Sequence, residues 1–151
     1  MKLATIKNGT RDGQLVVVSN DLQKYVTVNE IAPTLQQALD NWQNTEVKLK
    51  NIAEQLNAGL NQDALDFNQV DVAAPLPRAY QWCDGSAYLS HAELVRKARG
   101  AEMPEVLYRE PLLYQGGSDV LIGAKDDILL ADDSWGLDIE AEIGVITDDV
   151  P

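Results

Sequence analysis

Three short segments hold the side chains whose types and spacing could do chemistry. In Leu137-Asp138-Ile139-Glu140-Ala141-Glu142-Ile143-Gly144-Val145, alternation puts Leu137, Ile139, Ala141, Ile143 and Val145 on one face. Asp138, Glu140 and Glu142 fall on the other. Side chains two apart on a strand stand roughly 6.6 Å apart, so Glu140 and Glu142 repel unless both are hydrated or a cation sits between them. Carboxylate oxygens bind hard cations such as Mg²⁺ and Ca²⁺, and two glutamates of one strand could form half of such a site. The same pattern also describes an exposed strand face kept soluble by charge.

The second segment, Tyr80 to His91, gathers aromatic and ionisable groups and contains the single histidine of the chain. Asp84 precedes His91 by seven positions. Histidine is the side chain best suited to move protons near neutral pH, though a hydrogen-bonded structural role fits it too. Asp84 is equally readable as a turn residue or a ligand. In the third segment, Leu113-Tyr114-Gln115-Gly116-Gly117-Ser118, two glycines would let backbone N–H groups approach an anion. A plain loop with Tyr114 as a half-buried aromatic is the alternative.

Composition narrows the partners. Of 151 residues, 24 are acidic and 12 basic, a formal charge of -12 that repels polyanions and argues against nucleic acid. The one basic cluster, Arg96, Lys97 and Arg99, lies beside Glu93 and Glu102 and reads as a solvated helix face. One cysteine, Cys83, leaves no internal disulfide and no Cys/His zinc set, in keeping with a reducing cytoplasm. Apolar runs stop far short of the roughly 20 residues a membrane helix needs, and the N-terminus lacks the apolar core of a signal peptide. No membrane partner is expected.

The elements that must position these groups are legible in part. Runs at 3–8 and 14–19, separated by Asn8-Gly9 and Asp12-Gly13, predict a β-hairpin. From Leu35 to Leu56 apolar residues recur at three- and four-residue steps, which predicts an amphipathic helix capped by Thr34 and Gln37, stopped at Gly59 and open to a break at Asn44-Thr45. The polar stretch 61–78, with Pro75 and Pro77, suits a linker or an entry strand, and a boundary falls near 74. Ser90 and Glu93 predict a capping box for a helix over about 91–99, with Leu94, Val95 and Ala98 as its buried stripe and Gly100 as its stop. Strands are expected at 119–122, 127–131 and 137–147.

Together these segments resemble the fumarylacetoacetate hydrolase family, of fumarylacetoacetase type, over about residues 75–147. The likeness rests on Asp84 followed seven residues later by His91, then Arg99-Gly100, then Tyr114-Gln115-Gly116, then Leu137-Asp138-Ile139-Glu140-Ala141-Glu142. Arg99 needs a one-residue gap against eukaryotic-type members, and Gly116-Gly117-Ser118 stand where those have Gly-Arg-Ala-Ser. The resemblance implies an α+β protein: a small N-terminal α+β domain at 1–74, followed at 75–151 by the first part of a mixed β-roll catalytic domain.

It also implies a divalent cation, Mg²⁺ or Ca²⁺, held by Asp84, Glu140, Glu142 and one further aspartate that has no counterpart here. His91 would be the general base, with Tyr88, Arg99 and Tyr114 as substrate contacts. The expected reaction is hydrolysis of a carbon–carbon bond in a β-diketo acid such as fumarylacetoacetate or an acylpyruvate, by a cytoplasmic homodimer. A keto-acid decarboxylase of the same family, or a non-catalytic interaction or metal-binding fragment, are the alternatives. Against family lengths the chain reads as an N-terminal portion, inactive alone, with the remaining site residues expected beyond Pro151.

Overall fold

A computed structural model of the chain describes residues 1–117, 121–137 and 139–147. The expected hairpin forms as β1 (Lys2–Ile6) and β2 (Gln14–Val18), antiparallel with Ala4 opposite Val16. Gly13 makes the return possible. Its φ of 64° lies in the left-handed region, and a Cβ there would stand 2.6 Å from Thr5 Cγ2 and 2.7 Å from the Ile6 carbonyl oxygen. β3 (Lys24–Thr27) and the two-residue β4 (Leu65–Asp66) extend the sheet in the order β1-β2-β3-β4, all antiparallel.

β2 is buried on both sides, and its sequence shows why. Leu15 and Val17 point to one face, where they meet Leu35, Ala38, Leu49, Ala53 and Leu56 of two helices. Val16 and Val18 point to the other, against Ile6 and Tyr25, with Phe67, Val70 and Val72 laid over them. A continuous apolar run on a central strand is the expected signature of such two-sided burial.

The amphipathic segment is two helices, α1 (Leu35–Asp40) and α2 (Trp42–Asn57). Thr34 caps the first as expected, its Oγ1 accepting from the Gln37 N–H at 3.2 Å. The break falls at Asn41, ahead of the predicted Asn44-Thr45. Thr45 is buried inside α2, and its hydroxyl donates to the Ala38 carbonyl across the break at 2.8 Å, so it staples the two helices rather than parting them. The stretch 61–78 is not a free linker. Lys7 N–H donates to the Asp71 carbonyl and Ala73 N–H to the Thr5 carbonyl, a bridge joins Ile6 to Val72, and Thr5 Oγ1 donates to Pro75 O at 2.6 Å. The outer edge of β1 is thereby covered.

Beyond residue 78 the elements are sparser. β5 (Cys83–Ser86) pairs antiparallel with β6 (Leu112–Gln115), and α3 (Leu89–Ala98) lies between them in sequence. The α3 cap differs from expectation. Tyr88 is the N-cap residue and makes no side-chain cap bond, so the Ser90–Glu93 box does not form; Ser90 lies two positions inside the helix. The predicted apolar stripe is also uncovered, Leu94 being 66% exposed. Of the strands expected at 119–122, 127–131 and 137–147, no described residue is in a strand, and Ser118 to Val120, Asp138 and residues 148–151 lie outside the described residues. The alternating face of 137–147 is accordingly not a core: Ile139, Ile143 and Val145 are exposed, Ile143 at 94%. Alternation needs a neighbouring strand to become a ladder, and the strands described belong to the β1–β4 sheet and the β5–β6 ladder.

Residues 121–126 form a strap against the first half, and Ile146 and Thr147 line a cavity with Leu3, Leu35, Leu39, Trp42 and Pro75. Leu121 N–H donates to Pro77 O at 2.9 Å, and Gly123 is buried against the backbone of Val72 and Ala73. Lys7 pairs with Asp126 and, at 3.3 Å, with Asp71. Arg78 forks onto Asp12 with contacts of 2.8 and 2.5 Å.

Candidate functional site

Asp84 stands at the second position of β5, half-buried, directly across the ladder from Tyr114 of β6. Residues opposed in this way project to the same face. Two steps along from that pair, just past the end of the ladder, Gly116 N–H donates to the Trp82 carbonyl at 2.9 Å. The Trp82 and Tyr114 rings lie 5.8 Å apart at 54°. Tyr88 and His91 lie at the start of α3, both exposed, a short distance along the chain from β5.

Glu140 and Glu142 come from the far end of the chain, yet they share an electrostatic neighbourhood with Asp84 and His91. The Glu142 carboxyl is held above the ordinary glutamate range. The negative charge of Asp84 is the largest cause, and hydrogen bonding with the Glu140 carboxyl, slight desolvation and the Glu140 charge add to it. His91 pulls the other way. Three carboxylates and an imidazole are thus gathered from β5, α3 and the 139–147 segment.

Gathered is not closed. Among the described residues no three His, Cys, Asp or Glu side chains converge in a metal-binding group. The donor set nevertheless fits a hard divalent cation, because carboxylate oxygen is the donor Mg²⁺ and Ca²⁺ take. Asp84, Glu140 and Glu142 are the residues that would hold it.

The other expected contacts differ in standing. Tyr114 shares the face of Asp84 and is 60% exposed. Tyr88 is exposed beside the start of α3, whereas Arg99 is the exposed C-cap residue at the opposite end of that helix, a whole helix length from His91. Residue types and spacing gave no sign of what Trp82 does. Its indole N–H donates to the Gly117 carbonyl at 3.0 Å and its ring covers Gly116, contacts that depend on the β5–β6 pairing.

An antiparallel sheet with helices on one face, then a ladder carrying Asp84 and Tyr114 with His91 on the helix between its strands, is an α+β arrangement. Comparison with known families agrees: residues 1–78 match fumarylacetoacetase N-terminal domain 2, and residues 81–150 match the fumarylacetoacetate hydrolase C-terminal domain. The chain belongs to the fumarylacetoacetate hydrolase family. No curated protein matches it. No helix among the described residues is long and apolar enough to cross a membrane.

Proposed function

We propose that the chain carries the N-terminal part of a divalent-metal-dependent hydrolase that cleaves a carbon–carbon bond in a β-diketo acid, such as fumarylacetoacetate or an acylpyruvate. The observation that supports it best is the match of residues 81–150 to the fumarylacetoacetate hydrolase C-terminal domain, over a stretch in which Asp84, Glu140 and His91 all act on the charge of Glu142. In this reading Asp84, Glu140 and Glu142 bind Mg²⁺ or Ca²⁺, which when bound supplies positive charge to a developing enolate. His91 takes a proton from water as the water oxygen attacks the ketone carbon. The carbon–carbon bond then breaks with its electron pair left on the enolate, and His91 returns the proton to carbon. Tyr114 and Tyr88 contact the substrate, with Arg99 as a more distant contact. The small keto acid is the partner, and a cytoplasmic homodimer through the catalytic region is the proposed assembly.

The test is turnover of acetylpyruvate, fumarylacetoacetate and oxaloacetate by the full-length enzyme with Mg²⁺. His91→Ala is expected to lower the hydrolysis rate by at least about 10²-fold with metal affinity nearly unchanged. Asp84→Ala is expected to weaken metal binding instead. A His91 variant with wild-type rates removes the base from this mechanism. Carbon dioxide release from oxaloacetate without diketo-acid hydrolysis moves the reaction to decarboxylation.

A further inference from the structure

Trp82 belongs to no element, yet it makes the densest set of contacts beside the site. Its carbonyl accepts from Gly116 N–H at 2.9 Å and from Gln115 Nε2 at 3.2 Å, and its indole N–H donates to the Gly117 carbonyl at 3.0 Å. The six-membered part of the indole lies where any side chain at 116 would be. A Cβ on Gly116 would come within 1.9 to 2.4 Å of three ring atoms, so the indole could not keep this place with any side chain there. The other flank of the ring faces Tyr114, which stands opposite Asp84. Tyr114 itself is largely exposed and makes no other ring contact among the described residues.

We infer that Trp82 is a positioning residue: by clamping the Gly116-Gly117 turn from both its N–H and its ring face, it holds the Tyr114 phenol on the Asp84 side of the β5–β6 ladder, where a ligand of that site would meet it. Gly116 is the complementary half of the device, because only a residue without Cβ admits the indole. The ligand arm of this inference rests on the diketo-acid reading above, whereas the Trp82–Tyr114 coupling does not.

The closing experiment separates the two. In the full-length enzyme, nitration of Tyr114 by tetranitromethane, followed by mass spectrometry, reports how freely the phenol is presented. Removing an aromatic neighbour of this kind changes populations by about two- to tenfold. Trp82→Ala and Gly116→Ala are each expected to raise the Tyr114 nitration rate about threefold, with the buried Tyr25 unchanged as a control for folding. Trp82→Phe keeps the ring, loses the N–H, and should fall between. For acetylpyruvate, Trp82→Ala is expected to raise KM about fivefold with kcat within twofold, and to add nothing to Tyr114→Phe in the double variant. Unchanged nitration in both Trp82 variants overturns the inference. Raised nitration with unchanged KM overturns the ligand-positioning role. Should the wild-type enzyme turn over no diketo acid, the functional reading fails, and nitration alone decides the Trp82–Tyr114 coupling.

Discussion

The stretches before and after residue 78 are built on different terms. The first closes on itself: β2 is covered on both faces, Leu15 and Leu49 are fully buried, and the outer edge of β1 is occupied by residues 71–73. Among the described residues, the second holds a four-residue ladder, a ten-residue helix, short 3-10 turns and long irregular stretches, with Leu94, Leu129, Ile139 and Ile143 facing solvent. Every candidate site residue lies in the second. The proposed chemistry therefore falls on the part of the chain whose described residues supply least of their own packing, and the first part serves as the platform to which the 121–126 strap is fastened.

The sharpest way to break this comparison is to cut the same side chain in both parts. Leu15→Ala or Leu49→Ala should each cost about 3 kcal/mol in urea unfolding, the usual range for a leucine deleted from a closed core. Leu94→Ala and Ile143→Ala should stay within about 0.5 kcal/mol, as exposed positions do. Comparable losses at Leu49 and Ile143 would mean that the second part has a core of its own.

Next in size is metal binding. Glu140→Gln and Glu142→Gln should leave the unfolding midpoint unchanged or slightly raised, because each relieves carboxylate crowding around Glu142. Each should weaken Mg²⁺ binding by about tenfold or more in calorimetry of the full-length enzyme. Unchanged affinity in both variants would remove these residues from the ligand set. Limited proteolysis gives a smaller, graded contrast: cleavage should begin within 127–147 and spare 1–74, the boundary we propose for the first domain. Early cuts inside β2 or α2 would contradict that platform.

What could be read from the sequence follows the same division. Where local signals and tertiary packing agree, the elements came out as expected: the Asn-Gly and Asp-Gly hairpin, the Thr34 cap, and Gly59 and Gly100 after helix ends with φ of 70° and 65°. Asn44-Thr45 misled because Thr45 satisfies its hydroxyl on Ala38 O, a contact invisible to propensity. The 61–78 stretch misled because Phe67, Val70 and Val72 do not follow a period of 2 or 3.6, although all three cover the sheet. In the second part, alternation at 137–147 predicts a strand with an acidic and an apolar face, but a pattern of period two cannot supply the neighbour a strand requires, and the described residues there form none. Asp84, His91, Glu140 and Glu142 were legible as a group only through the family resemblance. Their spacing alone left a turn, a structural histidine and a solvated strand face equally open.

The smallest effect expected concerns the fastening between the two parts. Lys7 holds Asp126 below the ordinary carboxylate range, helped by the Gly123 N–H, and Arg78 does the same for Asp12. A carboxylate whose pKa is depressed on folding contributes stability that is present above its unfolded pKa and is lost as pH falls through the folded one. The lysine partner is raised, so its share is present below the ordinary lysine pKa and is lost only as pH rises through the raised value. The strap should therefore stay fastened across neutral pH and loosen at both extremes. All four groups are solvent-accessible, so salt should weaken the effect. The Leu121 amide, bonded to Pro77 O, is the reporter. Its NMR shift should hold steady from neutrality down to the ordinary carboxylate range and move only below it, and Asp126→Asn should abolish that step while leaving β2 amides unchanged. A midpoint at or above the ordinary carboxylate pKa, or a step that survives in Asp126→Asn, would mean that the strap is held by its backbone contacts at Gly123 and Pro77 alone.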